Sequence, residues 1–154
     1  MSEIIKQTPP TYGQLEEELS QKIDRLYREE LAHSPSKIIC KFFNGNLAIV
    51  IENSITTVDK FLLKENKIDI VKNVNLAINN ITKSKLEILI EQVLAVKVYN
   101  ILINSSLKTQ HTSAIVILSQ PPIVQPQKLL LNFPKASGKM SILIKVILTM
   151  LTRI

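Results

Sequence analysis

The chain has 154 residues, 45% of them apolar and 21% charged, with one cysteine and three glycines. That suffices for one domain with a real core plus tails; a single Cys40 excludes an intramolecular disulfide, and so few glycines exclude the phosphate-cradling loops of Rossmann and P-loop sites. The net charge of +6 is split along the chain: residues 1–36 are acidic, and residues 128–154 carry five Lys/Arg and no acid. No arginine-rich run, aromatic interleaving or zinc spacing accompanies it, so nucleic-acid binding is not expected.

Residues 1–11, with Pro9-Pro10, read as a disordered lead. Thr11 reads as an N-cap, since Gln14 stands three positions on as in a capping box. Leu15, Leu19, Ile23, Leu26, Tyr27 and Leu31 then recur at helical spacing, predicting an amphipathic helix to about Ala32 that ends before Ser34-Pro35. This stripe is either a core face or a dimer stripe, which makes Leu15, Leu19, Ile23 and Leu26 candidate interaction residues.

The stretch Lys37 to Glu52 carries two apolar runs around Asn44-Gly45. Asn-Gly between β-branched and aromatic residues is the strongest short-range hairpin signal, because a type I′ turn needs positive φ at both central positions. The expected register pairs Phe42 with Leu47, Cys40 with Ile49 and Ile38 with Ile51 on one inner face. Cys40 is thereby expected to be a small buried apolar residue, not a nucleophile or ligand. Asn53 to Thr57 reads as a turn into a helical segment at 58–64. From Ile68 onward Val71, Val74, Ile78, Ile81, Leu86, Leu89 and Val93 mark a long helix, expected to lie across the inner face of the hairpin. Residues 96–103 and 113–118 read as two more strands, separated by a polar loop at 104–112. The expected fold is α+β in the order helix, hairpin, long helix, hairpin, with a four-stranded antiparallel sheet covered by helix on one face. Residues 12–120 form its domain. From Pro121 the composition changes to a proline-containing tail, residues 121–154, whose last fourteen residues read as a short apolar helix with a polar stripe at Ser141, Lys145 and Thr149. That helix is too short to span a bilayer, and no run in the chain reaches the ~18 apolar residues a span needs. The polar, acidic beginning of the chain lacks the apolar core of a signal peptide, and with the lone cysteine it gives a cytoplasmic expectation.

Several stretches from His33 to Leu118 resemble the MpsC domain family, named after a Na+-translocating membrane-potential-generating system, a family of uncertain function. Ser34-Pro35-Ser36-Lys37 stands where the family has a Gly-Pro-like lead into its first strand, and Phe42 to Ile51 matches its strand–turn–strand. Ile55-Thr56 matches its "LT" before a helix, and Leu86 to Val98 (LEILIEQVLAVKV) its "LEELIEELTGVKV". Leu102 to Thr109 (LINSSLKT) with Ala114 to Leu118 is similar to its "SDISTKTGERIIVF". Gly13-Gln14-Leu15 and Leu26-Tyr27 look like cyanobacterial-type members. The chain departs from the pattern where a helix-ending glycine is Ala95, a loop acid is Asn104, and Gln110-His111 replace a Gly-Glu-like turn. The resemblance implies a compact α+β domain, oligomers, and an associational link to ion or bicarbonate handling at the membrane.

No metal-ligand cluster is visible and no cofactor is expected. Ser105, Ser106 and His111 share the polar loop with Asn104 and are the one place where a nucleophile and base can be imagined, but loop serines are far more often turn formers. The expected function is a non-catalytic interaction or regulatory module with an unidentified protein partner, acting as a homodimer through the N-terminal helix or a sheet edge. The alternatives are a peripheral membrane component attached through residues 141–154, and an enzyme with its site at 104–112.

Overall fold

The computed structural model describes residues 8–126. Helix α1 (Tyr12–Leu31) is followed by strands β1 (Lys37–Phe43) and β2 (Asn46–Glu52). Helices α2 (Thr57–Lys64) and α3 (Ile68–Leu94) come next, then strands β3 (Val98–Ser106) and β4 (His111–Leu118). The strands form one antiparallel sheet in the order β1-β2-β4-β3. The fold is therefore α+β, as expected from the pattern of elements. Residues 1–7 of the expected lead at 1–11, and the tail from residue 127 with its expected helix at 141–154, lie outside the described residues.

The first hairpin has the expected register: Phe42 faces Leu47, Cys40 faces Ile49 and Ile38 faces Ile51. Asn44 and Gly45 both take positive φ, +50° and +77°, as a type I′ turn requires. Cys40, Leu47, Ile49 and Ile51 are buried on the inner face, joined across the sheet by Ala114, Val116 and Ile101. The N-terminal capping box also forms: the Gln14 amide donates to Thr11 Oγ1 at 3.1 Å, and the Thr11 amide to Gln14 Oε1 at 2.9 Å.

Two expectations change. The long helix does not roof the first hairpin. Helix α1 does, burying Leu15, Leu19, Ile23 and Tyr27 against it, while α3 lies over β3 and beside α1. The reason lies in the stripe read along α3, which merged two faces. Val71, Leu86, Ile90 and Leu94 point into the core with Thr82, whereas Val74 and Ile81 are exposed. The polar loop at 104–112 is also mostly strand: β3 continues to Ser106 and β4 starts at His111, leaving a turn of Leu107 to Gln110. Alternating polar residues disguised the strand ends, because both faces are polar there for different reasons. Asn104, Ser106, His111 and Ser113 lie on the face that no helix covers, and Ser105 and Thr112 point into the fold.

Candidate functional site

The inward-facing ends of β3 and β4 meet the β2–α2 connection beneath α3. Thr112, 2% exposed, is the hub. Its hydroxyl lies 2.7 Å from both Ser105 Oγ and Ser54 Oγ. Ser105 Oγ in turn exchanges hydrogen bonds of 3.1 and 3.2 Å with the side-chain amide of Asn79 on α3, and the Ser54 amide donates to the Gln110 carbonyl at 3.0 Å. Tyr27 of α1 stands beside Thr112 at the edge of the cluster. Burial pushes the Tyr27 phenol up to about 12, a shift only partly offset by the nearby Thr112 hydroxyl, so it stays neutral at physiological pH. Buried hydroxyls need partners, and here each finds them in another hydroxyl, an amide or a carbonyl.

Beside this cluster, between α1 and α3, opens a groove of about 270 Å³ lined chiefly by Leu26, Tyr27, Leu31, Ile78, Ile81 and Thr82. A half-exposed ion pair, Lys85 Nζ to Glu30 Oε1 at 3.0 Å, stands at its margin.

The sequence-predicted residues separate into distinct places. Leu15, Leu19 and Ile23 are core, so three of the four residues also readable as a dimer contact are buried inside the domain; of the four, Leu26 alone reaches the groove. Ser105 belongs to the hydroxyl cluster. Ser106 and His111 are cross-strand partners on the opposite side of the sheet, so His111 faces away from Ser105 and cannot serve it as a base. The Ser106 hydroxyl accepts from the Thr109 amide at 3.3 Å, a turn-forming role. Asn104 faces Ser113 and is exposed. Cys40 is buried, and its thiol is pushed up to about 11, first by burial and further by the Glu16 carboxylate. Hydrogen bonding with Ser20 and the charge of Lys41 offset this only in part, and the group is a protonated thiol. Among the described residues, no three His, Cys, Asp or Glu side chains lie together as a metal site would need.

Sequence reasoning missed two features. Asp59, 2% exposed, closes a second capping box: its carboxylate accepts from the Thr56 amide at 3.2 Å and hydroxyl at 2.9 Å, while Thr56 Oγ1 accepts from the Asp59 amide. The Thr-x-x-Asp spacing was the available signal. The hydroxyl cluster left no signal beyond Ser105, because Tyr27, Ser54, Asn79, Ser105 and Thr112 come from five separate segments. The edges of the sheet are also guarded. Glu16 of α1 pairs with Lys41 and accepts from the Phe42 amide of edge strand β1, and β3 carries an irregularity between Val98 and Asn100.

Fold and site together define a small α+β domain: a four-stranded antiparallel sheet roofed on one face by two long helices, with an internal hydroxyl cluster that ties them together. The family model described as Na+-translocating membrane potential-generating system (MpsC) matches residues 11–120, and the chain belongs to this family. The match takes in α1 as well as the 33–118 stretch that carries the visible motifs. No curated protein and no solved structure matches the chain. The family's motifs acquire physical roles here. Ile55 is a fully buried anchor and Thr56 the N-cap of α2. Ala95 and Gln110, which stand where the family pattern has glycine, both hold positive φ, +54° and +60°. Among the described residues no helix is long and apolar enough to cross a membrane.

Proposed function

We propose that this chain is a non-catalytic interaction module of the cytoplasm, regulatory or accessory to the ion-transport system after which its family is named. The observation that carries the reading is a contrast in surfaces. The hydroxyls that chemistry would require are engaged with one another and lie across the sheet from His111, whereas α2 and α3 hold large apolar side chains outward, among them Val58, Phe61 and Leu76. Isolated exposed apolar residues are ordinary, but a concentration of them on one layer marks an interaction surface. Complementation tests it. In cells lacking this protein, sodium-dependent uptake is restored by the wild-type chain and equally by Ser105→Ala and His111→Ala, but not by Phe61→Asp. Loss of uptake in Ser105→Ala at normal abundance would return the function to the hydroxyl cluster.

A second reading attaches the same module to a membrane surface. It is favoured by the sequence of residues 128–154, which combines an apolar segment with five Lys/Arg and no acid. Sedimentation with anionic vesicles, and its loss when Lys139, Lys145 and Arg153 are replaced by glutamine, is the expected result.

A further inference from the structure

The back of α3, the face turned away from the sheet, carries apolar or small residues at alternating steps of four and three: Ile70, Val74, Ala77, Ile81, Ser84 and Ile88. The four large ones are exposed, Ile81 by 59% and Ile88 by 60%. The same helix buries Val71, Leu86, Ile90 and Leu94 on its other side, so this second stripe is surplus to the domain's own core. A spacing of 3.5 residues sustained from position 70 to 88 keeps a seam in line with a partner helix, which is the pattern two helices need to pack knobs into holes.

We infer that this seam docks α3 of a second copy of the chain, antiparallel, about a two-fold axis near position 79. The inference rests on the reading of the chain as an interaction module and names its partner. The seam is self-complementary in that arrangement. An isologous contact pairs residue i with j and j with i, and a single register sets Val74 against Ser84, Ala77 against Ile81 and Ile70 against Ile88. Each central branched residue then meets a small one, which lets the helices approach closely and fill the space between them. The parallel alternative would stack Ala77 on Ala77 and Ser84 on Ser84, leaving gaps, and would align the two helix dipoles unfavourably. A standard interface needs about 800 Å² per partner. The stripe rises about 27 Å and borders the groove that Leu26 and Leu31 of α1 form with Ile81, so two helices contribute area. Asn80, flanking the seam beside the axis, comes near its own copy.

Light scattering of the full-length chain at tens of micromolar tests this. The expected mass is two chains, falling to one chain in Ala77→Glu and in Ile81→Asp, with the dimer dissociation constant raised more than tenfold and the circular dichroism unchanged. Val58→Asp, equally exposed but on α2, stays dimeric. In a Cys40→Ala background, oxidation cross-links Asn80→Cys to its copy and leaves Ser84→Cys uncross-linked. A wild-type mass of one chain overturns the proposal, as does a dimer indifferent to both substitutions; cross-linking through Ser84→Cys alone overturns the antiparallel arrangement. These masses are measured on purified protein and are blind to transport, so their failure leaves the complementation result free to succeed or fail separately.

Discussion

Helices α1 and α3 lie side by side on the same sheet, yet they use their apolar residues differently. α1 has one apolar stripe: Leu15, Leu19, Ile23 and Tyr27 lie in the core, and Leu26 and Leu31 pack partly buried against it; its remaining surface carries Glu17, Glu18, Lys22 and Arg28, with two ion pairs, Lys22–Glu18 and Arg28–Asp24. α3 has two stripes, one buried and one in solvent. A helix apolar on one side is a structural element. One apolar on two sides keeps a stripe that its own domain does not bury, and that difference is why α3 is the helix proposed to interact.

The sharpest way to break this comparison is the same truncation on both helices. Ile23→Ala opens a cavity in the core and is expected to cost about 2–5 kcal/mol, whereas Ile81→Ala costs a single chain less than about 0.5 kcal/mol. Urea unfolding below the dimer concentration measures both, and equal losses would dissolve the contrast. Alkaline pH comes next, because it acts on the buried side of α1. Tyr27 is raised from 10.0 to about 12 in the fold. Below pH 10 both folded and unfolded chains hold the proton and stability is unaffected; between 10 and 12 the unfolded chain loses it first, so stability falls, by about 2–3 kcal/mol in all. Tyr27→Phe is expected to remove that part of the fall. Thr112→Val, which removes the hub shared by Ser54 and Ser105, is expected to cost about 1–3 kcal/mol by stranding their hydroxyls. The smallest effects are gains at the ends of the two helices. Ala32 and Ala95 are both left-handed C-caps, at φ +48° and +54°. Replacement of either by glycine relieves the clash of Cβ with the backbone and is expected to raise the melting free energy by about 0.5–1 kcal/mol. An equal gain at both positions would show that the helices differ in what they face and not in how they end.

The local signals were legible. Thr11 with Gln14 marked a helix start, Asn44-Gly45 fixed a turn and through it the pairing of Ile38, Cys40 and Phe42, and the polar stripe of α1 told its exposed side from its buried one. The hydroxyl cluster was not legible beyond Ser105, since Tyr27, Ser54, Asn79 and Thr112 are brought together from segments that say nothing about each other in sequence. The polar stretch at 104–112 misled for a related reason: a strand whose inner residues hydrogen-bond inside the fold has the composition of a loop.

What the sequence by itself determined is therefore what depends on neighbours along the chain: caps, the type I′ turn, strand alternation and the helical period, each set by backbone sterics and short-range hydrogen bonds. Tertiary structure alone decided which helix covers which hairpin, and which of the two apolar stripes of α3 is used inside. Both stripes carry branched aliphatic residues at helical spacing, and only the position of the sheet and of α1 determines that Val71, Leu86 and Ile90 are buried while Val74, Ile81 and Ile88 are exposed.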